Sequence, residues 1–522
     1  HVYKYVYTLS NIPTSTYTAM YAGIEYANVA IKGLKGMKAA SPAEQTRINM
    51  LMGEAYAIRA MNYWNIVRFF GDVPYSTAPV AETGIFTSSR VSRDIIYDGC
   101  IADLQTAITL LPWKSAGAVP TPERFTKNSA YGILARVALY AAGYSLRWDL
   151  KTYSEASVKI AQRPDANRIK ELYKIAADAC KAVIDRGENS LLPRYQDVFR
   201  DLITGKYNNE TMLEFGQWGS DNNSSAVGYT NGIYAHTSSM YGKSQPAMQA
   251  VPTYWYDFEP GDTRRDVTIC NYSINNDNGR DMNTYTNNTI GKFRVDWAAG
   301  TGTAVNKRDI NWPVLRYSDI LLMYAEALNE YNNGPNAEAI SSFEKVRTRG
   351  FGGDATKIGT TPTDYQGFRN AIINERKLEF GFESLRRTDL ARWGILYETL
   401  TKTKQNIVDM ANKTGAYANI DQYRVYKRVK ATVFQDPIVA IPYTGYKTLT
   451  PADSTTLAQG GNVVLRMLGP AKVNSHGELT ANAALVTNLF RGLEKDKVEI
   501  LPLATSIIDV NPGLKGEQHP KY

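Results

Sequence analysis

Aromatic side chains with polar tips are concentrated between residues 215 and 300 of this 522-residue chain, among many asparagine, serine and glycine residues. A flat ring covers the apolar C–H face of a sugar, while amide and carboxylate groups pair with the sugar hydroxyls. These residue types together therefore suit a saccharide-binding surface. The aromatic candidates in this region are Trp218, Tyr229, Tyr234, Tyr241, Trp255, Tyr285 and Trp297.

The alternative for each of these rings is a packing role. Large aromatic side chains are on average well buried, so any single ring is more readily explained as an anchor for a long irregular segment. The region as a whole favours recognition, because binding residues concentrate on loops that a rigid scaffold positions. Tyrosine is counted 35 times against 15 for phenylalanine, and it tolerates a half-wet site because its hydroxyl pairs with water or a partner.

Two glutamates near residue 375 have the spacing of catalytic carboxylates. Glu375 and Glu379 would share one face of a helix, and glycosidases work with such a carboxylate pair. Neighbouring arginines would keep both groups ionised, whereas a general acid needs a raised pKa. We therefore predict a structural ion network and no catalytic residue. Glu326, Arg316 and Arg59 are interpreted in the same way, because a charge on an apolar helix face needs a partner.

Metal, redox and nucleotide chemistry lack the residues that they require. The three cysteines show no CxxC spacing and the four histidines are scattered, so we predict no metal site, no disulfide framework and buried thiols at Cys100 and Cys180. No nucleotide-binding glycine motif and no nucleophile elbow is present, and we expect no cofactor. The net charge of +8 is spread along the chain without a basic run, which does not favour nucleic-acid binding.

Apolar residues recur at helical spacing through much of the chain. One such segment has a typical capped start at Ser41, Pro42 and Glu44, and a typical stop at Gly71 and Pro74. The pattern predicts helices at about 14–38, 41–70, 92–111, 127–144, 168–187, 316–333, 336–349, 364–380 and 383–400.

The helices are spaced like the helix–turn–helix pairs of tetratricopeptide arrays, in which stacking buries faces that no single pair can bury. We predict a mostly α fold in which residues 14–187 and 313–401 form a helical repeat scaffold. Residues 188–312 lose helical periodicity and are predicted to be a loop-rich ligand-binding region. Residues 402–522 mix short strands with loops. No apolar run approaches the roughly 18 residues that a membrane span needs.

Several of these segments, in this order, resemble the conserved blocks of the SusD/RagB family, which are nutrient-binding lipoproteins of the Bacteroidetes outer membrane. The blocks are GEAYAIRAMNYWNIVRFFGDVPY (Gly53 to Tyr75), VSRDIIYDGCIADLQTAITLLP (Val91 to Pro112), KNSAYGILARVALYAAGY (Lys127 to Tyr144), NWPVLRYSDILLMYAEALNE (Asn311 to Glu330), INERKLEFGFESLRRTDLARWG (Ile373 to Gly394) and LPLATSIIDVNPGLKGEQHP (Leu501 to Pro520).

The resemblance implies one continuous SusD-like unit over residues 1–522. It implies a non-catalytic, surface-exposed protein of the cell outer membrane, held by a lipid anchor upstream of His1. Such a protein would bind oligosaccharides or polysaccharides and deliver them to a SusC-type TonB-dependent transporter. Family ligand sites draw on the segments that correspond here to Tyr75–Phe86 and Tyr272–Trp297, so Tyr75 and Phe86 join the candidates. Two alternatives remain, a peptide ligand as in RagB and a glycoside hydrolase on the same scaffold.

Overall fold

A computed structural model describes residues 5–12, 14–217, 225–298, 307–432, 438–468 and 488–522, and the backbone of 472–473 and 479–480. Helices dominate these residues. They are α1 (Thr14–Gly36), α2 (Pro42–Phe70), α3 (Val80–Thr83), α4 (Arg93–Leu110), α5 (Lys127–Ala142), α6 (Ala166–Arg186), α7 (Tyr195–Ile203), α8 (Val227–Thr230), α9 (Arg264–Thr268), α10 (Tyr317–Asn332), α11 (Ala337–Gly350), α12 (Tyr365–Glu379), α13 (Arg386–Arg392), α14 (Leu396–Asn412), α15 (Pro451–Gln459) and α16 (Thr505–Val510).

Local chemistry at its two ends fixes the longest helix, α2. The Ser41 side chain accepts a hydrogen bond from the backbone N–H of Glu44, as an N-cap does. The Glu44 carboxylate accepts from the backbone N–H of Ala40 at 2.6 Å, one residue earlier than a capping box requires. At the other end Gly71 adopts a φ of 72° and donates its N–H to the Val67 carbonyl. A residue with a side chain would be strained there.

The long helices pack in sequence, each against the next. Helix α1 lies on α2, α2 on α4, α4 on α5, α5 on α6, α6 on α10, and α10 on both α11 and α12. Their facing side chains form the largest hydrophobic core of the described residues, with Trp64, Leu104, Ile133 and Leu321 all buried. This arrangement is the helical scaffold that the sequence predicts.

The helices predicted between residues 14 and 380 are confirmed to within two residues at each end. The single helix predicted over 383–400 is wrong, because the chain forms α13, breaks and then forms α14. Phe382 and Ser384 before α13 adopt left-handed φ values of 67° and 61°, and Gly394 after it has a φ of 70°. A right-handed helix cannot continue through these positions.

Short strands and turns form most of the described part of the region between residues 188 and 312. Helix α7 is an exception that the sequence analysis missed, although its buried residues Tyr195, Val198, Phe199 and Leu202 have helical spacing. No long helix runs through residues 271–292, which form short strands instead.

The strands of the described residues pair in small antiparallel sheets, namely β1 with β2, β3 with β8, β4 with β7, β13 with β14, and two three-stranded sheets in the orders β10-β6-β5 and β11-β9-β12. Their bounds are β1 (Ser145–Arg147), β2 (Lys159–Ala161), β3 (Thr211–Phe215), β4 (Ile269–Cys270), β5 (Tyr272–Ile274), β6 (Gly279–Met282), β7 (Thr289–Ile290), β8 (Trp312–Arg316), β9 (Tyr423–Tyr426), β10 (Val429–Lys430), β11 (Thr444–Tyr446), β12 (Val463–Arg466), β13 (Lys472–Val473) and β14 (Leu479–Thr480).

The pair β3–β8 connects the loop-rich region to the scaffold. Phe215 lies opposite Trp312, Thr211 lies opposite Arg316, and β8 leads directly into α10. Arg316 therefore stands at the junction between the two parts of the chain.

Arg316 is the centre of a buried ion network that confirms the structural role predicted for these charges. Its guanidinium donates to Glu210 Oε1, Glu379 Oε1 and Glu383 Oε1, each at 2.8 Å. Arg349 pairs with both Glu210 and Glu379. None of these side chains is more than 4% exposed. We refer to Glu210, Arg316, Arg349, Glu379 and Glu383 as the Arg316 network.

The electrostatics of Glu379 agree with a structural role. Burial by itself would raise the pKa of this carboxyl, but Arg349, Arg316 and Arg264 outweigh it and hold the pKa well below its usual range. Glu375 is likewise paired, with Arg264. Both carboxylates of the suspected catalytic pair therefore serve as counter-charges.

Other predicted charges pair in the same way within the helical scaffold. Arg392 donates to Glu326 at 2.9 Å and to Asp389 at 2.8 Å. Arg59 pairs with Asp103 at 2.7 Å, with both side chains at most 11% exposed. These contacts link α10 to α13 and α2 to α4, so the ion pairs fix the order of the stacked helices.

We predict that Glu379→Gln destabilises the protein by about 3–5 kcal/mol, because it leaves buried guanidinium groups without their counter-charge. Urea unfolding measures this loss. The matched control is Glu171→Gln, which removes a carboxylate that is 59% exposed and pairs with Arg168. We expect the control to change stability by no more than about 0.5 kcal/mol. Equal stabilities of the two variants would contradict a structural role for the network.

Candidate functional site

Four of the predicted ligand-binding rings are buried. Tyr241, Trp255, Tyr285 and Trp297 are between 0% and 3% exposed and lie within hydrophobic clusters of the loop-rich region. A ring with so little exposure offers no face to a ligand, so the structure does not support the expectation that these four stack on sugar. Their positions match the packing alternative instead.

Arginine side chains lie over three of these buried rings, those of Trp255, Tyr285 and Trp297. The guanidinium of Arg294 lies 4.6 Å from the Trp297 ring centroid. Trp255 has Arg265 at 4.5 Å and Arg424 at 4.9 Å. Such cation–π contacts stabilise both partners when they are shielded from water. Arg294 and Arg265 are close in sequence to the rings that they cover, whereas Arg424 comes from a distant part of the chain, so the local sequence does not reveal its contact with Trp255.

The two candidates of the segment after α2 have different environments. Tyr75 is half-buried, and its ring meets that of Tyr63 edge-on at 4.8 Å. Burial raises the pKa of Tyr75 to about 12. Phe86 is 79% exposed and remains available as a stacking platform. The bridge between Val73 and Val91 closes the base of this segment.

Two further candidates are Tyr229 in α8 and Tyr234 in the segment between α8 and β4. Tyr229 is half-buried, and Tyr234 is 41% exposed. Their neighbour Ala235 pairs with Ser244 and with Ile274 of β5, which holds this segment against the sheet. Tyr234 is therefore an exposed ring on a fixed backbone. Trp218 lies outside the described residues.

Sequence reasoning did not single out two exposed rings, Tyr207 before strand β3 and Phe215 at its end. Tyr207 and Phe215 are 46% and 45% exposed. The Tyr207 hydroxyl donates to Glu123 Oε1 at 3.0 Å. The Asn311 amide donates to the same oxygen at 2.9 Å and to Glu214 Oε2 at 2.8 Å. We call Glu123, Tyr207, Glu214, Phe215 and Asn311 the Glu123 cluster.

The Glu123 carboxylate can approach the backbone closely because the residue beside it is glycine, Gly216. A Cβ atom on Gly216 would lie 2.6 Å from the carboxyl carbon of Glu123, so a larger residue would push that carboxylate away. Two clues in the sequence were available. Tyr207 stands between Lys206 and two asparagines, and Phe215 ends a strand just before glycine.

The cluster combines ring faces with hydrogen-bonding groups. Burial raises the pKa of Glu214 to about 7. Among the described residues, Oε1 of Glu214 is buried without a hydrogen-bond partner. Glu214 and Asn311 are 2% and 1% exposed, so they position the exposed Glu123 carboxylate, whose oxygens can accept hydrogen bonds from sugar hydroxyls. The arrangement is chemically suited to a neutral, polyhydroxylated ligand with an apolar face.

The Glu214 pKa predicts how stability depends on pH. The folded state, with a pKa of about 7, holds a proton that the unfolded chain releases at its ordinary pKa. The contribution of protonated Glu214 to the free energy of unfolding is therefore present at acid pH and is lost as the pH rises through about 7. Glutamine has no proton to lose, so the free energy of unfolding of Glu214→Gln should rise relative to that of the wild type by up to about 3 kcal/mol when the pH is raised from 5 to 8. Urea unfolding at both values tests this, and parallel pH profiles would contradict it.

Comparisons with known proteins agree with this architecture. Two protein-family models match the sequence. The model of the SusD family matches residues 228–522. A second family model, described as "starch-binding associating with outer membrane", matches residues 1–139. SusD-like protein P25 of Formosa agariphila is 27% identical over 415 residues, covering 74% of this chain and 71% of that protein.

Two solved structures are similar in fold. A SusD homolog from Bacteroides thetaiotaomicron VPI-5482 has a TM-score of 0.74 and 23% identity, covering 100% of this chain and 90% of that one. A laminarin-binding SusD-like protein has a TM-score of 0.56 and 24% identity, covering 76% of this chain and 81% of that one. The fold is therefore the mostly α SusD fold. Since the first family model alone spans more than half of the sequence, the chain belongs to the SusD family.

Proposed function

We propose that this protein is a non-catalytic glycan-binding protein of the outer-membrane surface. It captures oligosaccharides or polysaccharides and delivers them to a SusC-type TonB-dependent transporter. The observation that carries the proposal is the Glu123 cluster, where the half-exposed Tyr207 ring donates its hydroxyl to Glu123 and the half-exposed Phe215 ring ends the strand that carries Glu214. The family description as starch-binding and the laminarin-binding relative support the same ligand class.

The shape of the exposed surface favours glycan over peptide. The rings of Phe86, Tyr207, Phe215 and Tyr234 are all more than 40% exposed. The cavity that adjoins Tyr207 has a volume of 220 Å³, below the roughly 300–1,000 Å³ of enclosed small-molecule sites. A shallow aromatic surface suits an extended sugar chain, whereas a peptide-binding protein would favour a large chamber with charged walls.

A hydrolase is the less favoured alternative. Glycosidases need one carboxylic acid that stays protonated near neutral pH beside a second carboxylate. Glu375 and Glu379 are both bound by Arg264, and neighbouring arginines hold the pKa of Glu379 low. These residues therefore do not supply the acid. Glu214 beside Glu123 has a raised pKa, but it is 2% exposed and so offers no proton to a bound ligand. A binding role is the simpler account.

Affinity should be modest and should increase with chain length, because each additional sugar meets another exposed ring. Dissociation constants between micromolar and millimolar correspond to about −8 to −4 kcal/mol. Such values suit a protein that must release its ligand to a transporter.

We predict that Phe215→Ala and Tyr207→Ala weaken glycan binding without lowering the melting temperature, because a half-exposed ring contributes little to the core. Affinity gels with a glycan panel that includes laminarin measure binding. Phe86→Ala and Tyr234→Ala test the two other exposed rings in the same assay.

Trp255→Ala is the control for these ring variants. It removes a ring that is 3% exposed and should cost about 3–5 kcal/mol of stability while leaving the affinity of the folded protein unchanged. If the exposed-ring variants lose stability and keep full affinity, the glycan site lies elsewhere.

We also predict that the protein co-purifies with a TonB-dependent transporter from native outer membranes. Mild detergent extraction followed by affinity capture tests this, with an unrelated outer-membrane lipoprotein as the matched bait. Recovery of the protein without any such transporter would contradict the delivery step and leave glycan binding unaffected.

A further inference from the structure

A second cleft lies on the helical scaffold, apart from the Glu123 cluster. It has a volume of 560 Å³, within the range of small-molecule sites. Its walls come from the residues just after α5, from β2, α6 and the end of α10, from the start of α12, from the turn between α13 and α14 with the start of α14, and from residues 495–499. The aromatic rings that line it are Tyr144, Tyr173, Tyr365, Trp393 and Tyr397. We call it the Glu499 cleft.

Glu499 is the buried polar group of this cleft. Its side chain lines the cavity, the residue is 4% exposed, and its Oε2 has no hydrogen-bond partner among the described residues. A buried carboxyl oxygen without a donor carries a desolvation cost that a bound ligand would remove. This atom therefore points to a ligand group that donates hydrogen bonds.

The charges of the cleft favour a cationic ligand. Four carboxyl groups line it, those of Glu330, Glu398, Asp496 and Glu499, against the three cations Arg369, Arg392 and Lys495.

Contacts inside and outside the cleft already occupy these cations. Arg392 pairs with Glu326 and Asp389, neither of which lines the cavity. Arg369 lies 3.6 Å from Glu330, and Lys495 lies 3.7 Å from Glu398. Within the described part of the chain, Asp496 and Glu499 form no ion pair, although the protein as a whole carries a charge of +8.

We propose that the Glu499 cleft binds an organic cation, namely the ammonium or guanidinium group of a small ligand. Asp496 and Glu499 supply the counter-charges, and the surrounding rings cover the cation through cation–π contacts. The same chemistry occurs in an amino sugar and in a basic amino-acid side chain, and the experiment below separates these two sources. This inference does not depend on the glycan-binding proposal, because the two sites share no residue.

The test is calorimetric titration of the purified protein with two matched pairs of probes. N-acetyl-L-arginine amide is compared with N-acetyl-L-citrulline amide, which replaces the guanidinium by a neutral urea group. D-Glucosamine is compared with D-glucose. We expect at least one cation to bind about tenfold more tightly than its neutral counterpart. The pair that shows the preference identifies the source, and equal binding within both pairs overturns the proposal.

Variants of the cleft test whether Glu499 causes the tighter binding of the cationic probe. Glu499→Gln should abolish it, whereas Glu494→Gln should keep it, because Glu494 lies on the same segment, pairs with Lys497 and does not line the cleft. A preference that survives in Glu499→Gln overturns the proposal. Asp496→Asn is the second variant, should Glu499→Gln fail to fold. Asp496 has a φ of 57°, which asparagine tolerates, and this variant should lose part of the preference.

The pH dependence gives an independent readout with the arginine probe, whose guanidinium stays charged throughout. Burial, with a contribution from Asp496, raises the pKa of Glu499 to about 7, and Arg387 acts in the opposite sense. Binding should therefore strengthen between pH 6 and pH 8 as Glu499 ionises, and flat binding overturns this assignment. The other charged or titratable groups that face the cleft are Glu330, Arg369, Arg392, Glu398, Lys495 and the tyrosines that line it.

Discussion

The buried pairing of Arg316 with Glu210, Glu379 and Glu383 is the interaction on which the rest of the structure depends. Charges buried in a low-dielectric interior are tolerated only when their partners are in place. These partners come from the residue just before β3, from the end of α12 and from the turn beyond it. The network therefore forms only when the scaffold and the loop-rich region are both folded and docked.

The loop-rich region contributes its own cations to the same point. The Lys292 ammonium donates to Glu383 at 2.7 Å and to the Glu379 carbonyl at 3.0 Å, and burial lowers its pKa to about 8. Arg264 of α9 reaches Glu375 and Glu379. Loops fixed in this way present exposed side chains on a stable backbone, as recognition surfaces require. The few rings left exposed explain why we expect modest affinity for each sugar unit.

The sequence predicts the scaffold well and the candidate site poorly, for physical reasons that particular residues show. Helices are local, so the spacing of apolar residues and caps such as Ser41 places them accurately. The charges at Glu379 and Arg316 are predictable because a charge on an apolar face needs a partner. The burial of Trp255 depends on Arg424, which is distant in sequence and leaves no local signal. Tyr207 meets Glu123 only through tertiary folding.

The most direct test of the central claim is a crystal structure of the protein with an oligosaccharide that a glycan screen identifies as a ligand. The account predicts an uncleaved sugar chain that stacks on Tyr207 or Phe215, with hydroxyls hydrogen-bonded to Glu123. A sugar bound away from the Glu123 cluster, or one hydrolysed by the protein, would contradict it.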